Sequence, residues 1–191
     1  MKYLLPFLFL CWSRLPAQPT GTGLGPFVLG LTTPDSLRRF PGFQEQELVV
    51  VKGTLALPCT AIRVFKADTV QITGLLLSNL FLVFYENRLF RITVDYSESL
   101  QQNFVRQRGN GKAKPPERFS ACDDAGNKPL MLSSERWQDG DTIALAVYAA
   151  GFNAHCRPEK TARFTLARQP VLAITSECDL DHLDPYFDAL R

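Results

Sequence analysis

LFLVFYENRLFRITVDY, residues 80–96, sets two apolar runs rich in aromatic and β-branched side chains on either side of Glu86 and Asn87. Two such runs broken by a pair of turn residues read as a β-hairpin. With a two-residue loop, Tyr85 faces Arg88, Val83 faces Phe90 and Phe81 faces Ile92, so one face carries Phe81, Val83, Tyr85, Phe90, Ile92 and Val94. That face is expected to be buried. The other carries Leu80, Leu82, Phe84 and Leu89 but also Arg91, Thr93 and Asp95, so it reads as covered near the turn and wet beyond it. Two partly covered faces place the hairpin in mid-sheet.

Working back from the hairpin, VQITGLLL from Val70 and TAIRVFK from Thr60 read as strands, and LVVV and TLAL flank Lys52 and Gly53 as a further hairpin. From Leu48 to Tyr96 no helical period competes with this pattern. FVLGL at 27–31 reads as a short strand, and the glycines before it complete no phosphate-binding loop. Thr33 as N-cap, Pro34 at the first helical position and Asp35 beside it open a short helix that stops before Pro41, with Leu37 and Phe40 toward the sheet.

Forward of the hairpin, Ser97 caps a helix through ESLQQNFVRQR, with Leu100 and Phe104 on one stripe, Arg106 and Arg108 in the last turn and Gly109 just past it. The segment 110–135, with Gly111, Pro115, Pro116, Gly126 and Pro129, reads as a long loop pinned by Cys122; its cations Lys112, Lys114 and Arg118 suit either solvent or an anionic surface. TIALAVYAA, ARFTLA and VLAIT read as strands, with Pro170 marking an edge, a bend or a turn, and Asp184 and Pro185 open a short terminal helix. No internal repeat is apparent.

The chain has 191 residues, enough for one domain with a substantial core. MKYLLPFLFLCWSRLPAQ reads as a secretory signal, residues 1–17, cleaved after Ala17; its apolar run is about half the length a membrane-spanning helix needs and is broken by Pro6. Leu10 directly before Cys11 is too bulky for a lipoprotein signal. Without Lys2 and Arg14, residues 18–191 carry 19 basic and 19 acidic side chains, which offers no global field for nucleic acid. Cys59, Cys122, Cys156 and Cys178 remain, and an even number in an exported protein reads as two disulfides with three possible pairings.

No catalytic, cofactor or metal residue is assigned from the sequence. His155 and His182 are the only imidazoles, and His155 beside Cys156 makes a nucleophile pair only if that cysteine is free. Glu177, Asp179, Asp181, His182 and Asp184 form an acidic cluster without the spacing or glycine of a calcium loop. Tyr85, Tyr96, Trp137 and Tyr148 fit either plain core or an apolar cleft under the helices.

At Thr33–Phe40 and again at Leu80–Tyr96 the chain resembles small exported bacterial domains in which a helix packs on an antiparallel sheet, as in β-lactamase-inhibitor-like and SmpA/OmlA-like envelope proteins. The resemblance covers residues 27–108 and carries no functional residue across. The expectation is therefore a single α+β domain over residues 18–191, an antiparallel sheet with short helices packed on one face and stapled by disulfides. Its expected place is periplasmic or secreted, and its expected role is non-catalytic binding of another envelope or extracellular protein, without cofactor or nucleic acid. A small-molecule or lipid carrier is the alternative.

Overall fold

A computed structural model describes residues 23–47, 57–122, 128–153, 155–178 and 180–190. In it the hairpin forms as strands β5 (Leu75–Tyr85) and β6 (Arg88–Asp95), joined by Glu86 and Asn87, both left-handed at φ 48° and 59°. Left-handed backbone at both loop positions matches the right-handed twist of the strands. Tyr85 pairs with Arg88 and Phe84 with Leu89, but the register then slips, so Val83 pairs with Arg91, Leu82 with Ile92 and Phe81 with Thr93. Phe90 is the extra residue of a β-bulge. The expected register therefore fails beyond the bulge, and the two faces of β6 exchange. Ile92 and Val94 join Leu80, Leu82 and Phe84, whereas Arg91 and Thr93 turn to the side of Phe81 and Val83. Arg91 is 2% exposed and Thr93 0%, where the sequence suggested a wet face.

The hairpin lies in mid-sheet as expected. Eight antiparallel strands run in the order β3-β4-β5-β6-β10-β9-β8-β7, with β3 at Gln44–Gln46, β4 at Ile62–Ile72, β7 at Lys112–Cys122, β8 at Lys128–Asp139, β9 at Thr142–Phe152 and β10 at Pro158–Arg168. A small hairpin, β1 (Gly23–Leu24) with β2 (Phe27–Val28), precedes them. A 3-10 turn, Pro34–Arg39, leads into β3–β6, a short helix α1 (Leu57–Thr60) stands before β4, and helix α2 (Glu98–Arg108) leads into β7–β10. Each half lays its strands from the outer edge inward, and the final strands β6 and β10 meet antiparallel with Thr93 opposite Thr165. The halves are thus related by a pseudo-twofold between those threonines, a repeat of topology that the sequence does not announce. Two tetrapeptides fall on equivalent positions, Arg91-Ile92-Thr93-Val94 and Arg163-Phe164-Thr165-Leu166.

Apolar side chains alternate between the two faces. Leu82, Phe84, Ile92 and Phe164 cluster with Leu37 of the 3-10 turn and with Leu100 and Phe104 of α2. Val83, Phe90, Leu145 and Val147 cluster instead with Leu172, Leu183 and Phe187, so residues from helical turns meet both faces rather than one. These come from α3 (Gln169–Ile174), a 3-10 turn at Asp181–Leu183 and α4 (Phe187–Leu190). The expected strand at VLAIT is therefore helical: Pro170 sits in the first turn, where its missing N–H has no partner to lose.

The expected long loop at 110–135 is likewise corrected, to the hairpin β7–β8. Pro115 and Pro116 are accommodated because β7 is an edge strand, and the ladder shifts register between Lys114 and Glu117. The helix expected after Ser97 forms, with Leu100 N–H donating to Ser97 Oγ at 3.3 Å and Gly109 closing it at φ 75°. The expected signal segment lies outside the described residues, as does the hairpin at Lys52 and Gly53 except for Leu57, which is helical.

Tyr96, on the α2 side, is 7% exposed, and its hydroxyl has no hydrogen-bond partner. Burial, reinforced by Tyr148 and Glu135, pushes the phenol well above its usual pKa. A buried unpartnered hydroxyl costs about 1 to 3 kcal/mol. Tyr96→Phe is accordingly expected to raise the urea midpoint, by about 1 kcal/mol in unfolding free energy; an unchanged or lowered midpoint would show the hydroxyl to be satisfied.

Candidate functional site

The four cysteines pair as Cys59–Cys178 and Cys122–Cys156, with Cα–Cα distances of 5.5 and 5.0 Å. Cys156 is thus a half-cystine and no nucleophile for the exposed His155, whose backbone N–H donates to Asn153 Oδ1 at 3.0 Å. Of the acidic cluster, Asp184 is buried while His182 is exposed, and among the described residues no three His, Cys, Asp or Glu converge on a metal position. Asp179 lies outside those residues. The four aromatics divide: Tyr85 packs with the Val83 side, and Tyr96, Trp137 and Tyr148 with the α2 side.

At Trp137 a cleft opens. Phe104, one turn from the end of α2, meets the Trp137 ring edge-on at 5.1 Å and Phe164 at 4.8 Å. Gly109 ends the helix, its carbonyl accepts the Trp137 indole N–H at 2.9 Å, and Arg108 Nη1 reaches Asp139 at 3.0 Å. Between the helix end and β8–β9 lies a cleft of about 300 Å³, floored by Phe104, Trp137, Ala144 and Leu166 and rimmed by cations including Arg108 and Lys112. Beyond the rim, every residue of β7 from Lys112 to Phe119 is exposed, and Lys114 pairs with Glu117 at 2.9 Å. The basic segment read from the sequence is therefore an exposed strand along the sheet edge.

Gly111 lies against the indole, so close that a Cβ there would stand 2.7 Å from the ring. Trp137 is the only tryptophan besides Trp12. Gly111→Ala is therefore expected to push the indole aside, shift its emission, and cost about 1 to 3 kcal/mol by overpacking. Unaltered emission in a protein of residues 18–191 would show that the loop yields instead.

On the opposite face, at the pseudo-twofold, lies a buried polar centre. Arg91 Nε donates to Thr93 Oγ1 at 3.2 Å, Thr93 and Thr165 hydroxyls are 3.0 Å apart, and Thr165 Oγ1 donates to Asp184 Oδ2 at 2.8 Å. With Thr165 donating to the carboxylate, Thr93 donates to Thr165, and one directed chain runs from guanidinium to carboxylate. Arg163 bonds Asp95 through Nη1 and donates to the Leu183 carbonyl through Nη2 at 2.8 Å. The Arg91 guanidinium lies 4.6 Å from the centre of the Phe187 ring. The tetrapeptides RITV and RFTL are the signal in the sequence from which this centre could have been read.

Burial holds the Asp184 carboxyl above its ordinary pKa, although Thr165, Arg91, Arg163 and the Tyr186 N–H all pull it down. The folded state therefore binds that proton more tightly than the unfolded chain. Its contribution to stability is full below the unfolded carboxyl's pKa and lost as pH rises through the folded one. Between neutral pH and about pH 5, the unfolding free energy of the native protein is expected to gain on that of Asp184→Asn as the pH falls. A constant difference in urea midpoints would show that Asp184 is not held in this way.

Among the described residues no helix is long and apolar enough to cross a membrane. No family model, no curated protein and no solved structure shows significant similarity to this chain.

Proposed function

We propose that this chain is an exported, non-catalytic binding domain that docks on another protein of the periplasm or extracellular space through the Trp137 cleft and the basic ribbon of β7. The observation that carries this reading is their adjacency: an aromatic-floored cleft opens at the end of an exposed, cation-bearing strand. Binding energy at protein interfaces concentrates where an apolar anchor fills a pocket, and flanking charge steers the encounter. A partner of matching chemistry presents an apolar side chain within an acidic surface. Two cystines suit an oxidising compartment, and the resemblance to inhibitor-like and SmpA/OmlA-like envelope domains belongs to the same class of role.

The second reading, a small-molecule carrier, rests on the same apolar floor, whose volume is at the low end for a ligand pocket. A photo-crosslinking residue at Lys112, with one at exposed Leu31 as control, separates the two in producing cells. One protein captured from Lys112 alone, and lost on Lys114→Glu, supports docking. A bound apolar compound in the native mass spectrum that quenches Trp137, with no protein captured, replaces it by the carrier.

A further inference from the structure

We infer that the sheet face across β6 and β10 is a peptide-recognition site occupied in cis by the protein's own residues 180–190, and that it takes from a partner a turn-forming segment bearing a carboxylate three residues ahead of an aromatic ring. The occupant shows the chemistry. Asp184 accepts from Thr165 Oγ1, the Leu183 carbonyl accepts from Arg163, and the Phe187 ring lies under the Arg91 guanidinium. Phe187 itself is fully buried, and Tyr186 donates its hydroxyl to Glu159. Contacts of this kind, guanidinium to carbonyl, hydroxyl to carboxylate and cation over ring, are those by which proteins read a peptide.

Three observations set this segment apart from ordinary core. A core needs only apolar cover, whereas this face buries two guanidiniums with a carboxylate, which gives little net stability over packed hydrophobic residues. The segment's own structure is a 3-10 turn of three residues and a helix of four, too short to persist alone, so its shape depends on the face beneath it. Finally, the covalent anchor stops short of it: Cys178 is tied to Cys59, and that bond does not hold the residues from Leu180 onward on the face. The pseudo-twofold adds a reason for the site's position, since it brings Arg91 and Arg163 from separate halves to one patch.

A short tether gives the cis segment an effective concentration in the millimolar range, so a partner segment competes only when the site opens. Amide exchange on the unchanged full-length protein tests the opening. The amides of 183–190 are expected to exchange at least about tenfold faster than those of Thr93 and Thr165, through a local event. Equal rates would make the segment part of the global core and overturn the inference. Recognition is tested with a fluorescent synthetic peptide of residues 179–191 and the full chain carrying Asp184→Ser and Phe187→Ala. The peptide is expected to bind this variant at least about tenfold more tightly than the unchanged protein, and to lose binding when it carries Asp184→Lys itself. A folded variant that ignores the peptide overturns the inference; if the variant does not fold, the exchange rates decide.

Discussion

Replacing Cys59 and Cys178 together by serine is expected to lower the unfolding free energy by about 4 to 5 kcal/mol, the largest loss from any single link in the molecule. The bond closes a loop of 119 residues, against 34 for Cys122–Cys156. Because cross-linking restricts the unfolded chain more the longer the loop, the second pair should cost less, about 3 to 4 kcal/mol. Guanidinium unfolding of the two double variants measures the difference. A smaller loss at Cys59 and Cys178 would mean that the unfolded chain already keeps the ends of that loop together. The same variant should also free the terminal segment, raising amide exchange over residues 183–190 above that of the native protein.

Phe164→Ala carries the second large effect, about 3 to 5 kcal/mol. Phe164 is fully buried, stacks on Tyr96 at 5.2 Å, and meets Phe104 and Trp137 at 4.8 and 6.3 Å. It sits on β10, the strand that joins the two halves, and it is the ring against which α2 seats Phe104. Its loss leaves a void beneath the floor of the cleft, so Trp137 emission should move to longer wavelength while the protein remains folded. A ΔΔG below about 1.5 kcal/mol, with emission unmoved, would mean that α2 settles into the gap.

Local chemistry made much of this fold readable. Ser97, Leu100, Phe104 and Gly109 each belong to helix α2 for a reason visible within a dozen residues, and Glu86-Asn87 likewise announced the turn. What failed needed information from elsewhere in the chain. The bulge at Phe90 inverts a face pattern that period-two reasoning assigns by counting, and nothing local to FYENRLFRI marks it; the burial of Arg91 and Thr93 follows from the far end of the chain, whose Asp184 and Phe187 lie over that face. Pro115 and Pro116 looked like loop because a proline's place in a sheet depends on which strand is last, a property of topology. The cystines were legible as four half-cystines, but their pairing depends on where the ends of distant strands arrive. As for the site, Trp137 was named among candidate aromatics, yet its cleft exists only because Gly109 and Gly111 bring the end of a helix over a strand of another hairpin.

The meeting of β6 with β10 also governs the order in which the molecule can be made. On a growing chain β3–β6 is finished long before β10 emerges, and until then β6 is a bare edge at what will become the middle of the sheet. An unpaired edge of that length invites another strand. The nearest match to β10 is β6 of a second nascent chain, since the two strands carry the same R-x-T pattern and would meet across the same twofold. Refolding should then slow and lose yield as protein concentration rises, and the trapped species should be pairs of half-sheets joined where the native protein joins its own two halves.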